Sequence, residues 1–395
     1  MILLWLAALP VLAWAWLFWF GPLRPIGARP PPAAQPIIEA RSVEAWRAQR
    51  AEILAQLAEH VYGPDPTPIA PVVASREIIA PDDAAGVQGV EQWRVELGAA
   101  GYFNMVLVRP SGDARAPVIL MQNFAGNPAA FFGRPPAIRP PHLYYPKEIR
   151  SAKLDPLLRA LFGRYMAGAP FDLLAQRGYA IALVYGGDIA PDHKHEARVA
   201  LAKFAPEGTG TLSAWSWLYS RMFDALSEDT RLDASRAVVF GQSRQGKAAL
   251  LAGARDERFA AVVGLQPGRG GDALTQHRAG ESVRGITRMF PHWFTPRFAA
   301  YADVDPPVDQ HQLLALIAPR PLLLGRANND AWADPLGGRG AMAGAAPAFN
   351  LFGAPSPQDY VRPGRHGIHL RDWIEVLNFL DARLTPARAP GSRLE

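Results

Sequence analysis

The residue with the clearest chemical signature in this chain is Ser243. It lies between a short apolar run, residues 237–240, and an alanine-rich run, residues 247–252, that opens a helix. Gly241 allows a sharp turn at this junction, because glycine tolerates backbone conformations and close approaches that other residues do not. A buried strand, a tight turn and a helix would lift the Ser243 hydroxyl above the edge of a sheet. We therefore predict that Ser243 is a nucleophile for acyl transfer.

A serine nucleophile needs a base that accepts its proton and an acid that orients the base. His366 is the candidate base, since it lies in a loop shortly before the last predicted helix. His369 is closer to that helix and better placed for capping or packing. Asp330 is the candidate acid because it follows a predicted strand at residues 321–325, whereas Asp334 fits an Asp-Pro turn. The order serine, acid, histidine along the chain is the order found in α/β-hydrolases.

The elements that must position these residues alternate between strand and helix patterns. Apolar runs predict strands at residues 92–97, 102–109, 118–123, 178–185, 237–240, 259–265 and 321–325. Apolar periodicity predicts helices at residues 42–60, 211–226 and 372–384, besides the helix after Ser243. This alternation favours a doubly wound, mostly parallel sheet sandwiched by helices, with loop insertions such as residues 128–170. We predict an α/β-hydrolase catalytic domain over residues 41–386.

Composition excludes several classes of partner and cofactor. The 41 Lys and Arg residues outnumber 36 Asp and Glu, but no dense basic run is present, so we expect no nucleic-acid partner. The absence of cysteine excludes disulfides, thiolate catalysis and Cys-ligated metals. His193 and His195 have no third ligand at metal-site spacing, so we expect no metal and no cofactor. We also expect a monomer.

Both ends of the chain differ from its middle. Residues 2–20 are apolar, so residues 1–22 fit an export signal or a membrane anchor, which would contact the membrane if uncleaved. Residues 23–40 form a predicted Pro- and Ala-rich linker, and residues 387–395 a C-terminal tail. We expect an exported protein, periplasmic or membrane-anchored and facing outside the cytoplasm. The orientation of an anchor stays open, because the arginines after it favour the cytoplasmic side.

Several motifs together make the chain similar to the glucuronoyl esterases, carbohydrate esterase family fifteen, and to their bacterial branch. In Gly-x-Ser-Arg-x-Gly-Lys at residues 241–247, arginine follows the serine and lysine lies one helical turn further on. Further blocks in the same order are Asn-Phe-Ala-Gly-Asn at 123–127, Ser-Ala-Trp-Ser-Trp at 213–217, Gly-Glu at 280–281, Phe-Pro-His-Trp-Phe at 290–294 and Asp-Ala-Trp-Ala-Asp-Pro at 330–335. The resemblance extends over residues 42–385.

The resemblance implies a serine esterase that cleaves esters of the carboxyl group of glucuronic or 4-O-methylglucuronic acid. In plant cell walls this ester joins xylan side chains to lignin alcohols. At matching positions the resemblance implies Ser243 as nucleophile, His366 as base and Arg244 as a contact to the oxyanion. It also implies that Lys247 and Trp332 contact the sugar. For Lys247 the alternative is an ordinary solvated lysine on a helix.

Gln266 departs from the pattern of many family members, which carry the triad acid at this position. A glutamine can hold an imidazole by its carbonyl group, but it cannot offset the charge of an imidazolium. The acid role therefore falls to Asp330. Two other functions stay open, an esterase for acetyl or other carbohydrate esters and a membrane-anchored carbohydrate-binding relative whose triad has decayed. The pair Arg244 and Lys247 argues against the first, and an intact serine, acid and histidine against the second.

Overall fold

The computed structural model describes residues 40–80, 87–112, 114–131, 138–139 and 167–384. The predicted N-terminal segment, nearly all of the linker, the C-terminal tail and much of the 128–170 insertion lie outside these ranges. Within them, no helix combines the length and apolar character needed to cross a membrane. The same ranges contain no group of three or more His, Cys, Asp or Glu side chains that could hold a metal ion.

A twisted sheet of nine strands runs through the centre of the described residues. The strands are β1 (Val72–Ala80), β2 (Val87–Glu96), β3 (Tyr102–Pro110), β4 (Ala116–Asn123), β5 (Ala180–Tyr185), β6 (Leu232–Gln242), β7 (Ala261–Leu265), β8 (Leu322–Ala327) and β9 (Gln358–Arg362). Their spatial order is β1-β2-β3-β5-β4-β6-β7-β8-β9. The pairs from β1 to β5 are antiparallel, and every pair from β5–β4 to β8–β9 is parallel.

Helices cover both faces of this sheet. They are α1 (Val43–Leu57), α2 (Phe171–Gln176), α3 (Lys194–Leu201), α4 (Thr211–Ser227), α5 (Arg244–Arg255), α6 (Val283–Met289), α7 (Gln310–Ala315), α8 (Pro335–Leu351) and α9 (Leu370–Leu384). Alternate residues of β6 point to opposite faces, so Val239 packs in one apolar cluster and Phe240 in the other. Phe240 stacks on Trp373 of α9 with ring centroids 4.6 Å apart. The predicted doubly wound, mostly parallel sheet is confirmed.

Two edge strands and one long helix have no counterpart in the predicted elements. Strand β1 exposes alternate residues, with Ile78 77% exposed, and β9 is short and carries charged residues. Helix α8 contains several glycines and Pro347, all of low helix propensity. Its helical state comes from tertiary packing, since Phe349 and several of its alanines are buried.

The parallel strands determine where the functional loops meet. In a sheet of this kind the segments that follow the carboxyl ends of the strands lie along one edge. The loops after β4, β6 and β8 contain the Asn-Phe-Ala-Gly-Asn block, Ser243 and Asp330, respectively. Residues far apart in the sequence are thereby brought to one place.

Candidate active site

Ser243 occupies a strained turn between β6 and α5. Its backbone has φ 57° and ψ −126°, a conformation that non-glycine residues rarely adopt. Such a conformation costs about 1–3 kcal/mol and marks sites where geometry serves function. A Cβ at Gly241 would lie 2.1 Å from the Gln245 carbonyl oxygen, so the turn requires glycine there. At Gly246 a Cβ would lie 3.2 Å from the Gly241 oxygen, so close packing also favours a glycine there, one position later than in G-x-S-x-G.

His366 and Asp330 are in direct contact at this edge of the sheet. Asp330 Oδ2 lies 2.7 Å from His366 Nδ1. The other carboxylate oxygen of Asp330 accepts the Ala333 N–H at 3.3 Å, and the side chain is buried. A buried carboxylate held at two points fixes both the orientation and the tautomer of an imidazole.

The two competing candidates, Asp334 and His369, have other partners. Asp334 caps helix α8 by accepting the Gly337 N–H at 3.0 Å, and its carboxylate lies 2.7 Å from His277 Nδ1. The backbone N–H of His369 donates to Asp372 Oδ2 at 2.8 Å, at the start of α9. The structure therefore brings Asp330 to His366, and it leaves Asp334 and His369 at helix ends.

The second nitrogen of His366 faces the side chain of Gln242. Gln242 Nε2 lies 3.1 Å from His366 Nε2, so the amide can donate only if Nε2 is unprotonated. A general base requires this arrangement, with Nδ1–H directed at Asp330 and a lone pair on Nε2. Among the described residues the Ser243 hydroxyl has no hydrogen-bond partner. Catalytic hydrogen bonds often form only when substrate binds, so His366 would exchange the Gln242 amide for the Ser243 hydroxyl at that point.

Arg244 begins helix α5 directly after the nucleophile. The first N–H groups of a helix have no intrahelical partner and favour negative charge, so its backbone suits an oxyanion. Its guanidinium forms an ion pair with Asp192 and is only 22% exposed. Three aromatic rings surround the guanidinium, with centroids at 4.5 Å for Phe124, 4.8 Å for Trp293 and 5.2 Å for Phe290. Cation–π contacts of this kind hold the charge in a fixed position.

Asp192 was not a candidate from the sequence, although it lies in the loop after β5. Its Oδ1 accepts from Trp293 Nε1 at 2.7 Å and lies 2.9 Å from His292 Nε2. Burial by itself would raise the pKa of Asp192, but Arg244, His292 and Trp293 outweigh it and hold that pKa far below its usual range. The carboxylate is therefore ionised and anchors the Arg244 guanidinium. An acidic residue shortly after a buried parallel strand was the available signal.

The loop after β4 is braced by short polar side chains. Asn123 Oδ1 accepts the Ala125 N–H at 3.1 Å, and Asn123 Nδ2 donates to Asn127 Oδ1 at 3.0 Å. Asn127 Nδ2 in turn donates to the Asn104 carbonyl at 2.9 Å. In this fold the loop supplies a second oxyanion donor. The Ala125 N–H is already used within the loop and is not available for that role.

Lys247 is buried one helical turn after the nucleophile. It is 4% exposed, so the alternative of a solvated lysine is wrong. Its Nζ donates to the carbonyls of Pro267 at 2.5 Å and Arg269 at 2.7 Å, and lies 3.9 Å from the Glu281 carboxylate. Burial lowers the pKa of Lys247 to about 8, with Glu281 acting in the opposite direction. An ammonium group has three donors, so one is left after the two carbonyls.

Glu281 lies close to Lys247 and is joined to Trp332 by a backbone hydrogen bond. The Glu281 N–H donates to the Trp332 carbonyl at 2.9 Å, and the Glu281 carbonyl accepts from Arg269 Nε at 2.9 Å. Burial raises the pKa of the Glu281 carboxyl, and Lys247 opposes that shift. Trp332 is 46% exposed, unusual for so large an apolar side chain. No role for Glu281 was predicted, and its signal was the Gly-Glu block at 280–281.

Gln266 lies behind the base rather than on the imidazole. Its side-chain oxygen accepts the Gly367 N–H at 2.8 Å, and its side-chain nitrogen donates to the Gly367 carbonyl at 3.2 Å. Both ends of the amide are thus used by the residue that follows His366. The acid that touches the imidazole is Asp330 alone among the residues that the structure describes.

A family described as "Glucuronyl esterase, fungi" matches residues 202–353. A carbohydrate esterase from an unknown prokaryotic organism is 32% identical over 384 residues, covering 87% of this chain and 86% of that protein. A 4-O-methyl-glucuronoyl methylesterase 1 from Wolfiporia cocos is 31% identical over 204 residues. The latter alignment covers 48% of this chain and 50% of the fungal protein.

Solved structures show the same architecture. The glucuronoyl esterase from Solibacter usitatus superposes with a TM-score of 0.76 at 28% sequence identity, and the match covers 90% of this chain and 100% of that one. The predicted α/β-hydrolase fold is thereby confirmed.

Proposed function

Because this chain belongs to the glucuronoyl esterase family, carbohydrate esterase family fifteen, and is a carboxylic ester hydrolase, we propose that it cleaves esters of the glucuronic or 4-O-methylglucuronic acid carboxyl group. The observation that carries this proposal is the contact between Asp330 and His366 at 2.7 Å beside the strained Ser243 turn. The names of the Wolfiporia cocos and Solibacter usitatus relatives support the uronate as the acyl group.

The proposed reaction follows the serine-esterase course. Ser243 Oγ attacks the ester carbonyl while His366 Nε2 takes its proton. The tetrahedral oxyanion forms at the N-terminus of α5, near the Arg244 guanidinium, where fixed positive charge stabilises the transition state. His366 then gives the proton to the leaving alcohol, which leaves a uronoyl ester on Ser243. Water activated by the same imidazole releases the free uronic acid.

The side chains of Lys247, Glu281 and Trp332 suit a sugar ring as the acyl part of the ester. Lys247 offers a donor and Glu281 an acceptor 3.9 Å from it, and a ring hydroxyl can both accept and donate a hydrogen bond. The exposed Trp332 indole offers a flat apolar surface for a pyranose face. An acetyl group needs none of these contacts, so their presence favours a uronate ester over an acetyl ester. We propose the ester links between glucuronoxylan and lignin alcohols as the natural substrate class.

A comparison of three substrates tests this function. Benzyl glucuronate, acetylated xylan and p-nitrophenyl acetate would be offered at equal concentration, with released acid measured after correction for uncatalysed hydrolysis. We expect kcat/KM to be highest for benzyl glucuronate. Acetate release from xylan without benzyl alcohol release would indicate the acetyl esterase instead. Absence of turnover on all three, with retained binding to glucuronoxylan, would indicate the decayed carbohydrate-binding relative.

Replacement of Lys247 should separate the two substrate classes. Lys247→Met keeps the unbranched side chain as far as Cε and removes the ammonium, whose hydrogen bond is worth about 1.5–3 kcal/mol. We expect kcat/KM on benzyl glucuronate to fall by about 10- to 100-fold, and turnover of p-nitrophenyl acetate to stay within about threefold. Equal losses on both substrates would mean that Lys247 supports the elbow rather than the sugar.

The pH dependence of turnover should report the same ammonium. Since the pKa of Lys247 is lowered to about 8, the charged form is present below this pH and is lost as the pH rises through it. We expect kcat/KM for benzyl glucuronate to decline above that pH, while p-nitrophenyl acetate shows no such step. The step should be missing in Lys247→Met. A decline of the same size in this variant would assign the titration to another group.

A further inference from the structure

The side chain of Gln266 makes two hydrogen bonds to the backbone of Gly367. The side-chain oxygen accepts the Gly367 N–H at 2.8 Å, and the side-chain nitrogen donates to the Gly367 carbonyl at 3.2 Å. Gln266 is 3% exposed, so these bonds are shielded from water. Its own backbone is anchored on β8 through a 2.9 Å bond from its N–H to the Gly325 carbonyl. The side chain therefore ties the core of the sheet to the residue directly after His366.

In this chain the side chain at position 266 is turned to the Gly367 backbone instead of the imidazole, and the donor and acceptor that it meets there match a neutral group. The Gly367 backbone has one N–H donor and one C=O acceptor. A side-chain amide pairs with both, because its oxygen accepts from the N–H and its nitrogen donates to the C=O. An ionised carboxylate has acceptors only, so it would pair with the N–H and face the carbonyl oxygen with negative charge. A protonated carboxylic acid, in contrast, carries one donor and one acceptor like the amide.

A second group holds the same carbonyl from the opposite side. Arg362 Nη2 donates to the Gly367 carbonyl at 2.5 Å, while its Nε is 2.7 Å from Asp372 Oδ2. Arg362 is 2% exposed and Asp372 is fully buried. The charge of Arg362 is offset by Asp372, so it is not free to neutralise a further carboxylate. Gly367 has φ 138°, a region of positive φ that favours glycine at this point of the loop.

We propose that Gln266 is a positioning residue for the catalytic base, which acts by clamping the Gly367 backbone and for which a neutral amide is required. This inference rests on the function proposed above, in which His366 is the base. The clamp holds the loop in which His366 contacts Asp330 with one ring nitrogen and turns the other towards Gln242, the residue before Ser243. It also separates two tasks, since Asp330 supplies the charge and Gln266 supplies the position.

Two substitutions of similar size test the requirement. Gln266→Glu introduces a group that can be protonated, and Gln266→Met removes both hydrogen bonds at every pH. The charged and titratable groups near this position are the Arg362–Asp372 pair with the Tyr360 hydroxyl, the Asp330–His366 pair, and Lys247, whose ammonium donates to the carbonyl of the next residue, Pro267. All of them are present in wild type, so the ratio of variant to wild-type kcat at each pH isolates the introduced carboxyl group.

For Gln266→Glu we expect kcat at about pH 8, where a carboxyl group is ionised, to fall by about 10²-fold, the effect of a misplaced catalytic group. KM should change little, because Gln266 is not one of the proposed sugar-binding residues, Lys247, Glu281 and Trp332. The ratio to wild type should rise as the pH falls to about 5, towards the ordinary range of a carboxyl group. Gln266→Met should show a similar loss at both pH values. Full activity of Gln266→Glu at the higher pH, or of Gln266→Met, would overturn the clamp.

Thermal unfolding tests the clamp without activity. The folded state should favour the protonated form of the introduced carboxyl group, which raises its pKa above the unfolded value. Stability is then present below the unfolded pKa and lost as the pH rises through the folded one. We expect the Tm of Gln266→Glu to fall further below wild type as the pH rises. A pH-independent difference contradicts the clamp, whereas a wild-type protein that turns over no ester contradicts the proposed function.

Discussion

Replacement of Ser243 by alanine is expected to lower kcat on benzyl glucuronate by about 10⁶-fold, by analogy with loss of the nucleophile in serine proteases. The variant retains the oxyanion site and the proposed sugar-binding residues Lys247, Glu281 and Trp332. It has no atom that can form the acyl-enzyme. Stability should change little, because the Ser243 hydroxyl has no hydrogen-bond partner in the described part of the chain and alanine keeps the same Cβ. The measurement is kcat under saturating substrate, together with Tm.

A serine outside the site provides the matched control. Ser227 lies at the exposed end of α4 and donates to the Asp224 carbonyl at 2.9 Å. Ser227→Ala should retain wild-type kcat and a similar Tm. Residual activity of Ser243→Ala within tenfold of wild type would place the nucleophile elsewhere. So would a phosphonate or sulfonyl fluoride that labels another serine.

Replacement of Asp330 by asparagine should lower kcat by about 10⁴-fold, the effect of removing the triad carboxylate in serine proteases. The carboxylate accepts the Nδ1–H of His366 at 2.7 Å and so leaves Nε2 free to act as the base. An amide can donate to Nδ1 instead, which moves the proton to Nε2 and removes the base. It also lacks the charge that stabilises the imidazolium. KM for benzyl glucuronate should stay close to wild type, because Asp330 is buried behind His366.

Asp334→Asn is the matched control for this prediction. Asparagine is as good an N-cap as aspartate, so helix α8 keeps the bond from the Gly337 N–H. The contact with His277 Nδ1 is weakened and the buried Arg269, 3.7 Å away, loses an anionic partner, which should lower Tm and leave kcat within about threefold. If Asp334→Asn abolishes turnover while Asp330→Asn is nearly silent, the choice of acid is wrong. If both are silent, the triad does not operate.

Ser243→Ala and Asp330→Asn test two different parts of the candidate active site. Ser243 is placed by a strained backbone turn, and the strain is supported by the packing of β6 against α5. His366 and Asp330 lie on two separate loops, and each loop is fixed by hydrogen bonds of its own. Loss of the nucleophile removes the chemistry itself, whereas loss of the acid leaves a base in the wrong tautomer. The larger effect of Ser243→Ala follows from this difference.

Local features of the sequence were sufficient to locate the nucleophile. The elbow is a contiguous segment in which an apolar strand, Gly241, Ser243 and an alanine-rich helix follow one another. Helix α4 was also predicted nearly to its ends, at residues 211–226 against Thr211–Ser227 observed. Apolar periodicity and turn residues act over a few neighbours, so a linear reading captures them. The order of the triad candidates and the class of fold came from the same local signals.

The partners of the polar side chains were decided only by the tertiary structure. Gln266 and Gly367 are 101 residues apart, and Arg244 and Asp192 are 52 residues apart. The sequence favours a functional Lys247 over a solvated one, but it does not show the buried position that the side chain occupies. Such contacts depend on how the loops at one sheet edge pack, and a one-dimensional pattern carries no information about that packing. The chain thus determined which chemistry is present, and the parallel sheet determined which groups meet, because it brings the carboxyl ends of distant strands to one edge.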